Sequence, residues 1–199
     1  MNAGSVEDHY FIQDLYVSQS IFSQQPENIL DVGSRIDGFV SNVASFRKID
    51  IVDIRPLSLK IKNINFKRLD ITKNISKIYN QYTCVTSLHA IEHFGLGRYG
   101  DKIDPEGHLK GIKNIYKILK KSGILYLSFP FGPNRIEFNA HRVFSLSYIE
   151  PKLTEFFEII EFSYIDDQNT FHQDIKLDSG YSNNFNCNYG CAIFKLKKK

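Results

Sequence analysis

Asn28-Ile-Leu-Asp-Val-Gly-Ser-Arg-Ile-Asp-Gly38 is the stretch from which the fold is read. Ile29, Leu30 and Val32 form a short apolar run that stops at Gly33, and Ile36, Phe39, Val40 and Val43 resume at helical spacing. A strand, a turn and a helix in that order aim backbone N–H groups and the positive helix end at whatever occupies the turn. That arrangement suits the phosphate or carboxylate of a nucleotide-like cofactor, and Gly33 permits its close approach. Further on, Ile49-Asp-Ile-Val-Asp53 is a second apolar run ending in a carboxylate. It lies about 20 residues beyond Asp31, the interval at which such folds hold a ribose. Asp53 is therefore a candidate ribose ligand, with turn formation as its alternative.

Outward from this unit the chain alternates strands and helices. Residues 5–24 start with Ser5-Val-Glu-Asp8, close to a capping box, and carry Phe11, Ile12, Leu15, Tyr16 and Phe22 at helical spacing. This leading helix is expected to pack on the sheet, or else to lie over the cofactor as a lid. After the strand breaker Arg55-Pro56, Ile64-Asn-Phe-Lys-Arg-Leu-Asp70 is a weaker strand that again ends in a carboxylate. Gly33, Asp53 and Asp70 then finish three successive strands, at the edge where open α/β sheets bind ligands. Thr83 to Leu88 is β-branched and apolar, a buried strand that delivers His89, Glu92 and His93 to the same edge. The glycine-punctuated Phe94 to Asp101 is a binding loop, and Asp104-Pro105 opens a helix through Leu109, Ile112, Ile115 and Leu119. Ile124 to Phe129 is a fifth strand, followed by a loop with Arg135, Asn139, His141 and Arg142. A helix near Leu146 to Leu153 precedes strands at Phe156 to Phe162 and Tyr189 to Leu196, and the direct joining of those two strands indicates one antiparallel member. The expectation is one α/β domain over 1–199, with 94–108 and 130–145 as active-site loops.

Composition narrows the class. At 199 residues, 42% hydrophobic and 24% charged, the chain has globular values and room for one core. No apolar run approaches the roughly 18 residues of a spanning helix, and no Lys or Arg precedes Arg35, so cytoplasmic residence is expected. Cys84, Cys187 and Cys191 fit no disulfide framework and are taken as reduced thiols, with zinc at the C-x3-C pair a minor alternative. The net charge of +3 leans on Lys195-Leu-Lys-Lys-Lys199, and the lysines of the 104–119 helix mark a solvent face, so nucleic acid is an unlikely partner.

This order of elements, with Ile29-Leu-Asp-Val-Gly33, Asp53, Asp70, Ser87-Leu-His-Ala-Ile-Glu-His93 and Ile118-Leu-Lys-Lys-Ser-Gly-Ile-Leu-Tyr-Leu-Ser-Phe-Pro130, resembles the class I S-adenosylmethionine-dependent methyltransferases over most of the chain. More closely, Gly33-Ser-Arg-Ile-Asp-Gly38, Val52-Asp-Ile-Arg-Pro56, His89 to Asp101 and Phe138-Asn-Ala-His-Arg142 are similar to an uncharacterised bacterial branch often found beside surface-polysaccharide genes. The resemblance implies a Rossmann-like, seven-stranded, mostly parallel sheet with one antiparallel strand and helices on both faces. It implies S-adenosylmethionine with its methionine part at Gly33, its ribose hydroxyls on Asp53 and its adenine amino group on Asp70. Leu88 and His89 would lie below the cofactor, with Asp31, Ser34, Ile54 and Ile71 also in contact. Asp70 has an Asx-turn as its alternative. The superfamily's turn has glycines two and four residues after the first, where this chain has Arg35 and Asp37. Arg35 would either pair with the cofactor carboxylate or block the site.

Methyl transfer to a hydroxyl needs a group that removes a tightly held proton, either a base or a metal. His89, Glu92 and His93 share one face if they open a helix, and His141 comes from the loop after the fifth strand. One expectation makes His93 or His141 the base, with Glu92 orienting it. The other makes His89, Glu92, His93 and His141 ligands of a divalent metal, because they resemble in part the Glu-x-x-Glu-His metal motif of small-RNA 2′-O-methyltransferases and quinone-biosynthesis O-methyltransferases. The structural alternative is a helix cap at Glu92 and a supporting His89. Arg98, Tyr99 and Arg142 suit a phosphate or carboxylate of the acceptor, or internal ion pairs. The function expected is O-methylation of a small polar acceptor, plausibly a nucleotide- or phospho-sugar of surface polysaccharide synthesis. The alternatives are a non-catalytic binding module and, further off, a nicotinamide-dependent oxidoreductase or epimerase. Against the last, the turn lacks G-x-G-x-x-G.

Overall fold

Apolar runs and their turns set the strands of the computed structural model, which describes residues 9–58, 60–138 and 140–199. In chain order these are β1 (Ile29–Val32), β2 (Ile49–Asp53), β3 (Ile64–Arg68), β4 (Tyr82–Leu88), β5 (Leu119–Phe131), β6 (Arg135–Glu137), β7 (His141–Val143), β8 (Phe157–Ile165), β9 (Phe171–His172) and β10 (Gly190–Lys198). Eight of them form one sheet in the order β3-β2-β1-β4-β5-β10-β8-β9, and β6 and β7 pair as a separate hairpin. The pairs from β3 through β5 are parallel, whereas β10 runs antiparallel to both β5 and β8. The expected antiparallel strand is thus β10. The sheet has eight strands instead of seven because the two-residue β9 pairs with the outer edge of β8.

Side chains alternate across the sheet and build a core on each face. Cys84, Leu88 and Tyr126 face a layer with Val17 and Ile21 of helix α1 (His9–Gln24) and with Phe39, Val40 and Val43. Val85, Leu125 and Leu127 face Ile112, Ile115 and Ile118 of α3 (Gly107–Ile118) and Leu146, Ile149 and Leu153 of α4 (Leu146–Thr154). The segment after Gly33 is a π-helical turn (Ile36–Val40) running into the short α2 (Ser41–Ala44), not a plain α-helix.

Helix α1 differs from the sequence expectation. Its buried face is Gln13, Asp14, Val17, Ser18 and Ile21, while Phe11, Leu15 and Phe22 are exposed. Two of its three buried polar residues, Gln13 and Asp14, have partners there. The Asp14 carboxylate accepts the Phe39 backbone N–H, and the Ser128 hydroxyl donates to Gln13 Oε1. The capping box proposed at Ser5 to Asp8 lies outside the described residues. No helix among the described residues is long and apolar enough to cross a membrane.

Candidate active site

The turn after β1 is closed from below. Gly33 has φ +73°, and its N–H donates to the Val52 carbonyl at 3.0 Å. Beneath it the wholly buried Asp31 accepts from Ser34 N (3.0 Å), Ser34 Oγ (2.5 Å) and Thr86 Oγ1 (2.7 Å), while Leu88 N donates to Ser34 Oγ at 3.0 Å. Burial pushes the Asp31 pKa up to about 6. Asp31, Ser34 and Leu88, expected to contact a cofactor, therefore support the turn from underneath and are not part of the cavity wall.

Above the turn opens a cleft of about 890 Å³, counting the open solvent at its mouth. Gly33, Arg35, Asp53, Ile54, Asp70, Ile71 and His89 all line it, so the ends of β1, β2 and β4 and the residues just after β3 share one rim. Arg35 does not plug the cleft. Its guanidinium pairs with Asp37 (3.0 Å) and lies over the ring of Tyr10, 5.2 Å from the centroid, with the Arg35 and Asp37 side chains more than half exposed. Asp70 folds an Asx turn, accepting from Thr72 N (3.0 Å) and Thr72 Oγ1 (2.7 Å), and pairs with Lys73 at 3.3 Å. Asp53 is held by Arg55, whose Nη2 lies 2.6 Å from Oδ2.

Glu92 and His93 stand on a 3₁₀ turn (Ile91–His93) instead of an α-helix, and His89 directly follows β4, ahead of that turn. His89 takes φ +49°, a left-handed conformation that a bulky residue keeps only when its surroundings impose it. Those surroundings are the rings of His9 and Tyr10, each 4.7 Å away, and Cys191 Sγ at 3.3 Å from Nε2. Glu92 is 1% exposed, and its Oε1 lies 3.2 Å from His89 Nδ1 and 3.7 Å from His93 Nε2. Its Oε2 has no hydrogen-bond partner among the described residues, and burial lifts the carboxyl pKa to about 7. His93 lines the cleft, and its Nδ1–H donates to the Ala140 carbonyl at 2.7 Å. A carbonyl only accepts, so this bond fixes the tautomer and leaves Nε2 as the basic nitrogen. Burial, the largest influence, holds the His93 pKa below the ordinary imidazole value.

His141 stands edge-on behind His93, with ring centroids 6.2 Å apart and Nε2 3.4 Å from Glu137, outside the cleft wall. Among the described residues no group of three or more His, Cys, Asp and Glu is arranged to hold a metal ion. The expected ligand set of His89, Glu92, His93 and His141 is thus corrected as a preformed centre. His141 lies outside the cleft wall and faces Glu137. The C-x3-C pair is likewise divided, with Cys187 in one core and Cys191 in the other.

The acceptor residues are corrected in part. Arg142, expected to bind substrate, is buried and donates to the carbonyls of Glu92 (3.3 Å), Phe94 (2.7 Å) and Pro105 (3.4 Å). It pins the 94–101 loop to the 3₁₀ turn. Asp101 accepts the N–H groups of Gly95, Gly97 and Tyr99, so the loop's amides are satisfied internally. Tyr99 does line the cleft, its ring 5.4 Å from His93 and flanked by Arg55 (4.6 Å) and by the exposed Arg98 (5.6 Å). Sequence reasoning missed Tyr10, Arg55 and Thr72 as lining residues, and Tyr189, whose ring is 5.4 Å from His141. For Arg55 a signal was present, an opposite charge two residues after a strand-ending carboxylate. For Tyr10 and Tyr189 none was, since they arrive from distant elements.

Residues 42–189 match the family described as "Caenorhabditis protein of unknown function, DUF268". No curated protein matches the chain. Among solved structures, the chain is similar to the Burkholderia thailandensis 1,6-didemethyltoxoflavin-N1-methyltransferase with bound 1,6-didemethyltoxoflavin and S-adenosylhomocysteine, at TM-score 0.68 and 10% identity over 98% of this chain and 80% of that one. It is similar to the N-methyltransferase NodS from Bradyrhizobium japonicum WM9 in complex with S-adenosylhomocysteine (TM-score 0.62, 14% identity, 94% and 85% covered). It is also similar to the [4+2]-cyclase SpnF (TM-score 0.66, 13% identity, 92% and 80% covered). Likeness at such identities carries the fold, and the fold is the Rossmann-like one of S-adenosylmethionine-dependent methyltransferases.

Proposed function

The chain belongs to the family described as Caenorhabditis protein of unknown function, DUF268, and we propose that it acts as an S-adenosylmethionine-dependent O-methyltransferase on a small polar acceptor. One observation carries this reading: Gly33, Asp53 and Asp70, contributed by three successive β-segments, line one cleft together with His93. A Cβ at Gly33 would crowd Ala90 Cβ at 3.1 Å, and with φ +73° the position suits glycine. S-adenosylhomocysteine in two structural neighbours supports the same cofactor here. In this reading residues 1–199 work as one domain, with 94–108 and 130–145 as the loops on the acceptor side.

When bound, S-adenosylmethionine supplies a methyl group on sulfonium, open to in-line displacement. The chain's part is to hold ribose on Asp53 and adenine at Asp70 and Ile71, and to take the acceptor's proton. His93 Nε2 is suited to that last task, being unprotonated at neutral pH, with Glu92 Oε1 3.7 Å away to receive positive charge. A base so disposed favours a hydroxyl acceptor over an amine, which needs less help. Tyr99 would stack on the acceptor. A nucleotide- or phospho-sugar of surface polysaccharide synthesis is the acceptor class that the sequence resemblance suggests. No step is routed through a metal.

Calorimetric titration with S-adenosylhomocysteine and, separately, with NADH tests the cofactor. Binding of the first and not the second is expected. NADH binding alone would reassign the cleft to a nicotinamide oxidoreductase or epimerase, and binding of neither would leave a non-catalytic module.

A further inference from the structure

Asp53, to which the proposed function gives the ribose, already has an occupant. Arg55 folds back on it through its backbone N–H (2.7 Å to Oδ1), its Nε (3.0 Å to Oδ1 and 3.2 Å to Oδ2) and its Nη2 (2.6 Å to Oδ2). The guanidinium also stacks on Tyr99, 4.6 Å from the ring centroid, and so bridges the end of β2 to the 94–101 loop across the cleft. Arg55 engages both carboxylate oxygens, so a vicinal diol bound to Asp53 has to compete with the guanidinium for the same acceptor atoms.

The two partners differ in freedom. The Asp53 side chain is 13% exposed, and its carbonyl is locked to Leu69 N at 2.9 Å, whereas the Arg55 side chain is 48% exposed. Arg55, with Asp53, also lines a second, open groove that continues past Pro56 and Leu57 to Ile61. The guanidinium therefore has room to withdraw without disturbing the sheet. We propose that Arg55 is an internal competitor for the Asp53 carboxylate, displaced toward this second groove when a cofactor diol binds, and so sets cofactor affinity. The inference rests on the cofactor reading above.

Titration of S-adenosylhomocysteine into the wild type, Arg55→Ala and Arg55→Lys, each checked for folding by circular dichroism, tests it. Removing a competitor on the scale of one partly exposed ion pair should tighten binding in Arg55→Ala roughly two- to fivefold, with Arg55→Lys between the two. Added salt should bring the wild type toward Arg55→Ala, since it screens the pair that has to open. The gain should appear with adenosine and vanish with 2′,3′-dideoxyadenosine, which has no diol to present to Asp53. Equal or weaker binding in Arg55→Ala, or a gain that persists without the diol, overturns the proposal. If no folded variant binds S-adenosylhomocysteine, it is the cofactor reading that has failed, and the competitor falls with it.

Discussion

Glu92 enters the folded chain with Oε2 unpartnered among the described residues, and the cost of burying its charge raises its pKa from 4.5 to about 7. Between those values the native state keeps a proton that the unfolded chain has released, so this group's share of stability is full below about pH 4.5 and is lost as pH rises through 7. Asp14 and Asp31, each raised to about 6 by burial, act in the same direction. His108, lowered to about 4 by burial, acts in the opposite one, so the whole-protein curve blends both. A difference between variants isolates Glu92. Glu92→Gln, neutral throughout, should be more stable than wild type at pH 8 by roughly 1–3 kcal/mol and near equal at pH 5, read from thermal melts. The same difference at both pH values would refute the assignment. His93→Gln should lower kcat for methyl transfer roughly 10²- to 10⁴-fold and leave S-adenosylhomocysteine affinity within about twofold, the separation expected of a base that does not hold the cofactor.

The 94–101 loop and α3 meet almost backbone to backbone. A Cβ at Gly107 would lie 2.7 Å from the Phe94 carbonyl oxygen and 2.8 Å from Gly95 N and Cα, main-chain atoms with no rotamer to yield. Gly107→Ala should therefore cost roughly 1–3 kcal/mol in a denaturant melt and weaken cofactor binding as the loop lifts, whereas unchanged stability would mean that the contact is slack. At this scale the sequence was legible wherever an element's own pattern determined it. The runs at Ile29, Ile49, Ile64 and Thr83 are strands, and Ile112 and Ile115 mark the inner face of α3, whereas Leu119, expected in that helix, already begins β5. It was not legible where a neighbour decided. The π-turn at Ile36 forms with the Asp14 carboxylate pressed against Gly38, where a Cβ would meet Oδ2 at 2.1 Å, and no periodicity in 36–43 announces a carboxylate from α1. Helix α1 was assigned the wrong face for the same reason, its inward Gln13 and Asp14 being polar. At the rim, Gly33, Asp53 and Asp70 were found because each ends or follows a strand, while Arg142 was misjudged because its carbonyl partners carry no sequence mark.

Taken whole, the molecule gathers its rim from segments as far apart in sequence as Tyr10 and Asp101, so a ligand bound there adds contacts that tie these distant segments together. Saturating S-adenosylhomocysteine, at about 100 times its Kd, should add about 2.7 kcal/mol of stability and raise Tm by roughly 5–10 °C, with an unmoved Tm counting against a cofactor in this cleft. Amide exchange over 94–104 should slow with it. The placement of β10 has a consequence for biogenesis. It fills the slot between β5 and β8, paired with β5 from Gly190 to Lys197 and with β8 from Cys191 to Lys198, with one register shift against β8 between Lys195 and Leu196. While a ribosome is still making the segment that leads to it, β5 offers an open hydrogen-bonding border and β8 has no seat, for seconds at ordinary translation rates of about 5–20 residues per second. Nascent chains arrested before Gly190 should consequently depend on chaperones and clump without them, and completion of this single ribbon should be the event that makes the newborn protein safe.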